Sequence, residues 1–114
     1  MQVIFQTPDP QAIQLRQQTE RRVRQAMKRL AWLAPRVKVH LSDVNGPRGG
    51  IDKSCRIELM SERTGTVVIT SLAKNWSSAL QSALTRAVRA LLNNWQRTRT
   101  RTRAMKPNLS MAAA

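Results

Sequence analysis

The chain has 114 residues, enough for one domain around one hydrophobic core and too few for two ordinary ones. Apolar residues make up 41% of it, as in a folded domain, while 20 Lys and Arg stand against 6 Asp and Glu, a formal charge of +14. A single cysteine excludes an internal disulfide, and with a single histidine beside it no metal centre is credible.

No stretch approaches the ~18 apolar residues of a membrane span. The opening "MQVIFQTPDP" has no basic segment followed by a long apolar one, so it does not read as a signal peptide. A soluble, reduced, cytoplasmic protein with no membrane partner is the expectation. An excess of one charge this large destabilises a folded chain by self-repulsion unless a polyanion screens it. Arg outnumbers Lys fifteen to five, which favours bidentate phosphate contacts and makes nucleic acid the first candidate, ahead of an anionic surface.

In chain order, "QVIFQ" is a short β-type run that stops at "TPDP". Asp9 followed by Pro10 predicts a helix N-cap with proline in the first helical position. Leu15, Thr19, Val23, Met27, Leu30 and Leu33 or Ala34 then recur at spacings of three and four, which predicts one helix from Pro10 to Ala34. Pro35 ends it, because the residue before a proline is pushed out of the α region. "RVKVHLSDV" alternates, with Val37, Val39 and Leu41 on one side and Lys38 and His40 on the other. "KSCRIELMS" alternates again, with Cys55, Ile57 and Leu59 inward, and "TVVITSLA" follows after the tight turn "ERTG".

Asn75 reads as a second N-cap. Trp76, Leu80, Ala83, Leu84, Ala87, Leu91 and Trp95 mark a core stripe behind it, and Arg86, Arg89, Asn93 and Arg97 share another face. Beyond Arg97 the chain alternates Arg with Thr and the apolar stripe stops. The predicted fold is therefore α+β: β-α-β-β-β-α, a four-stranded sheet with two helices packed on one face. Residues 1–98 form the domain and residues 99–114 a basic, flexible tail that orders on binding.

Between the second and third strands lies "DVNGPRGGIDKSC", with three of the four glycines. A phosphate-binding loop of the Walker type needs Gly before Lys-Ser and a helix after it. Here Asp52 precedes Lys53-Ser54 and a strand pattern follows, so the segment reads as a hairpin connection in which Arg48 and Lys53 can reach a polyanion. His40 is expected on the open sheet face and Cys55 in the core, neither with a nucleophile or base partner. Glu58 and Glu62 read as partners of Arg56 and Arg63. The three tryptophans read as core, since a single-strand-reading sheet carries aromatics on its strands and these strands carry only Phe5. No catalytic residue, cofactor, metal or small-molecule substrate is indicated.

The basic faces are the remaining candidates. No acidic residue occurs from Asn75 to Arg97, and the first helix holds only Glu20. The candidate nucleic-acid contacts are Arg86, Arg89 and Arg97, extended by Arg99 and Arg101, with Arg24 and Lys28 on the first helix and Arg48 and Lys53 on the loop.

The β-α-β-β-β-α order, the capped helix ending "RLAWLAPRV", the loop "DVNGPRGGIDKSCRIEL" and the second helix with Arg86, Arg89 and Arg97 resemble the hibernation-promoting factor and ribosome-associated inhibitor A family over about residues 1–100. The resemblance implies a fold similar to a double-stranded-RNA-binding domain. It implies binding to the small ribosomal subunit between head and body, blocking translation by occupying the mRNA and tRNA path, without enzymatic activity. It places Arg86, Arg89 and Arg97 at positions that face ribosomal RNA, with Asn93 uncharged at another. Eleven residues follow Arg103, so the short form, monomeric when unbound, is expected. The alternative is a general double-stranded RNA or DNA binding protein with no ribosomal role.

Overall fold

The computed structural model describes residues 1–44 and 52–113, with side chains as far as Thr98. Gln2–Gln6 form β1, Arg36–Asp43 β2, Lys53–Ser61 β3 and Gly65–Ala73 β4. They make one mixed sheet in the order β1-β2-β3-β4. The β1 strand runs parallel to β2, and the other two pairings are antiparallel, as expected of three strands joined by short connections. The register of β2 on β3 ends with Asp43 opposite Lys53, and Val44 N donates to Asp52 O at 2.8 Å. The strands β2 and β3 thus pair as a hairpin on either side of residues 45–51, and the element that follows is a strand and not the helix N-terminus a phosphate loop requires.

Alternation along each strand sorts the residues by face. Val3, Val37, Leu59 and Val67 fall in one cross-strand row and Phe5, Val39, Ile57 and Ile69 in the next, both facing the helices. Val37, Val39, Leu41, Cys55, Ile57 and Leu59 are buried. Each fully buried aliphatic side chain here contributes about 1.5–3 kcal/mol through removal from water.

The helical layer differs from its sequence expectation in two places, the first helix and the end of the last. Asp9 does cap the first helix, accepting from Gln11 N at 2.9 Å with Pro10 in the first turn. That helix, α1, is only Pro10–Ile13, and the chain restarts as α2 over Arg16–Ala26. It then tightens into a 3-10 turn at Lys28–Leu30, with Leu30 N bonded to Met27 O and Leu33 N to Leu30 O. The three-residue bonds turn both Leu33 and Ala34 into the core just before Pro35, which an α-helix kept to Ala34 cannot do as readily. The apolar positions expected to face inward do so: Thr19, Val23 and Met27 are buried, and Leu15 and Leu30 pack against them.

The last helix, α3, spans Trp76–Ala113 and continues past Arg97, where the end of the apolar stripe predicted a break. Asn75 caps it, accepting from Ser78 N at 2.7 Å. Ala79, Ala83 and Ala87 are all fully buried, so the helix rests closely on the sheet between Leu80, Leu84 and Leu91. It lies over β3 and β4 while α2 lies against β1, and the two helices touch.

Candidate nucleic-acid interface

Arg86, Arg89 and Arg97 project from α3 away from its buried stripe, and all three are exposed. Eleven residues of helix separate the first from the last, about 16 Å along the axis. Arg86 Nη1 donates to Thr70 O and Ser71 Oγ, each at 3.2 Å, which ties its guanidinium to the outer strand β4. Arg89 and Arg97 make no hydrogen bond or ion pair with the described residues. The row is thus a set of cations held along one side of the molecule with no carboxylate beside them on the helix.

Arg24 and Lys28 lie elsewhere. Arg24 lies on an exposed face of α2 with Arg21, Lys28 follows in the 3-10 turn, and Arg24 Nη1 donates to Met1 O at 2.9 Å, beside β1. Since β1 and β4 are the two edges of a four-stranded sheet, Arg24 and Arg86 are anchored about 14 Å apart in strand spacings alone. Among the described residues Arg24 and Arg86 therefore belong to basic faces at opposite edges of the sheet. Arg48 lies outside the described residues. Arg99 and Arg101 lie on α3 beyond the described side chains.

Lys53 is placed differently from the arginines. Its ammonium group donates to Asp43 Oδ2, lies 3.9 Å from Asp52 Oδ1, and sits 4.8 Å from the centre of the Trp76 ring. Only 20% of the side chain is exposed. The hydrogen bond to Asp43 raises its pKa, so it stays charged, and that charge serves two local carboxylates. Asp52 is itself buried with no hydrogen-bond donor among the described residues, so Lys53 is its nearest neutralising group. Lys53 is thus held at the hairpin base by the carboxylates of Asp43 and Asp52.

The titratable side chains weighed in the sequence fall in different surroundings. Cys55 is buried, and desolvation pushes its thiol up to about 12 despite the opposing field of Arg22. His40 lies between Gln6 and Arg56 on the open sheet face, half-buried. Glu58 pairs with Arg56 at 3.5 Å, as expected. Arg63 turns away from Glu62 and lies over the rings of Trp32 and Trp95 instead. Among the described residues no three His, Cys, Asp or Glu side chains gather to hold a metal, and no helix is long and apolar enough to cross a membrane.

Two features were not read from the sequence. Arg22 clamps α2 to α3, its Nη1 donating to Ser77 Oγ at 2.9 Å and its Nη2 to Gln81 Oε1 at 2.8 Å. Its position one residue before the core residue Val23 is the only sequence signal for this. The second feature is Trp32, expected in the core with Trp76 and Trp95. Trp76 is buried, its indole N–H donating to Ser42 O at 3.0 Å, but Trp32 is 57% exposed. No known protein family and no curated protein matches this chain.

Proposed function

We propose that the protein is a non-enzymatic RNA-binding factor of the cytoplasm that associates with the small ribosomal subunit and blocks translation by occupying the path of mRNA and tRNA. The observation that carries this reading is the row Arg86, Arg89 and Arg97 on α3, uninterrupted by any acidic residue from Asn75 onward. Arginine forks at these positions neutralise phosphates, and each contact releases counterions. The choice of the ribosome over other RNA rests on the resemblance in element order and in the hairpin segment between β2 and β3. A rigid domain wedged in a channel inhibits by occupancy, so no nucleophile or base is needed.

A general duplex-binding protein uses the same arginines, and competition separates the two readings. Purified protein is mixed with labelled small subunits and challenged with generic duplex RNA at equal phosphate concentration. The ribosomal reading expects the subunits to retain the protein. If generic duplex displaces it in proportion to phosphate, the protein is a general backbone binder.

A further inference from the structure

Trp32 sits where the 3-10 turn after α2 leads into β2, beside the β3–β4 turn and the stretch of α3 around Trp95. Three contacts hold its ring. The indole N–H donates to Arg29 O at 3.1 Å, the ring meets Trp95 edge-on at 5.3 Å and 82°, and the Arg63 guanidinium lies 5.6 Å from its centre. Arg63 also lies 5.9 Å from the Trp95 ring. The turn that carries Arg63 is itself fixed, because Ser61 Oγ accepts from both Arg63 N and Thr64 N at 3.3 Å. Although gripped in this way, Trp32 leaves 57% of its surface in water. Its only hydrogen-bond donor is already satisfied, so what it offers is a flat aromatic surface in a fixed orientation with a guanidinium alongside.

The charge around it defines the occupant. The segments that meet here carry Lys28, Arg29, Arg36 and Arg63, against Glu62 alone. The occupant must be aromatic to match the ring and anionic to match its surroundings. A nucleotide is both, and exposed tryptophan and arginine planes are the surfaces on which unpaired bases stack. Trp95 lies six residues beyond Arg89 and nine beyond Arg86 on α3, about 9 and 14 Å along the axis. At 3.6 residues per turn, however, Trp95 stands about half a turn round α3 from Arg86 and a third of a turn from Arg89, so the ring lies on a different side of the helix from that row.

We propose that Trp32, backed by Trp95 and Arg63, is a stacking platform for one unpaired nucleobase whose phosphates meet the local cations Lys28, Arg29, Arg36 and Arg63. The proposal rests on the RNA-binding reading and adds to it a requirement for a single-stranded nucleotide beside the bound backbone.

The test uses the full chain and three probes: a short blunt RNA duplex, the same duplex with an overhang of about three unpaired nucleotides, and that overhang made abasic. The wild type should bind the overhang duplex about five-fold or more tightly than the blunt one, with the gain absent for the abasic probe. Trp32→Ala should remove the gain and leave blunt-duplex binding unchanged, while Trp32→Phe should keep most of it. Equal binding of blunt and overhang duplexes by the wild type overturns the platform and leaves the backbone reading standing. A gain that survives in the abasic probe or in Trp32→Ala also overturns it, and assigns the gain to added phosphates or the exposed tryptophan to a protein partner. Failure of the wild type to bind any of the three counts against RNA binding itself. The abasic comparison needs no variant, so it decides even if Trp32→Ala fails to fold.

Discussion

Replacing Arg86, Arg89 and Arg97 together by Ala measures how much of the binding these three side chains carry. Each phosphate contact contributes about 0.7–0.9 to the slope of log K against log salt, so three contribute about 2.1–2.7. Between 50 and 200 mM salt, a span of about 0.6 in the logarithm, they account for roughly a 20- to 40-fold fall in affinity. The triple variant should bind more weakly at low salt and lose this part of the salt dependence. The folded state should survive, because Arg89 and Arg97 are exposed and make no hydrogen bond or ion pair with the described residues. Arg86 gives up bonds to Thr70 O and Ser71 Oγ, a loss of about 1 kcal/mol. The assay is fluorescence anisotropy of a labelled duplex RNA at several KCl concentrations, with a thermal melt as the control for folding. A triple variant that melts normally and shows the wild-type salt slope refutes the assignment of phosphate contacts to α3. In that case Arg24 on α2 and Lys28 in the turn after it, at the other edge of the sheet, become the candidates.

Three further outcomes follow from the packing. Lys53→Ala should lower the melting temperature by removing the cation beside buried Asp52, with RNA affinity unchanged; an affinity loss at unchanged stability would make Lys53 a contact. Gly65→Ala should cost about 1 kcal/mol in urea unfolding, because φ is +83° there while the space around an added Cβ is open. Cys55 should resist alkylation in the native protein at pH 9–10 and react only on unfolding. Its folded pKa is raised from 9.0 to about 12 by burial, so the unfolded chain releases this proton first. The stability it supports is therefore full below pH 9 and declines as pH rises toward 12. Rapid native labelling at pH 9 contradicts the buried assignment.

The sheet was legible because alternation is a local signal: Val37, Val39 and Leu41, and then Cys55, Ile57 and Leu59, declare their face without reference to anything distant. The caps at Asp9 and Asn75 were legible for the same reason, since each needs only its own first turn. The breaks in the first helix were not, because a stripe at spacings of three and four fits α-helix and 3-10 turns alike over so short a stretch. Trp32 falls in that tightened segment, where a helical period no longer says which way a side chain points, and composition alone assigned it to the core. The pairing of Lys53 with Asp43 depends on strand register, and a hairpin count back from Val44 and Asp52 would have found it. The separation of Arg24 from Arg86 was out of reach, since it depends on which sheet edge each helix covers.

The most direct measurement is sedimentation of a cell lysate through a sucrose gradient at low salt, with this protein followed by immunoblot. The account predicts that it travels with small subunits and whole ribosomes, moves to the top of the gradient as salt is raised, and stays at the top at low salt when Arg86, Arg89 and Arg97 are all alanine. If the wild-type protein remains at the top of a low-salt gradient while ribosomes sediment intact, the ribosomal reading is wrong.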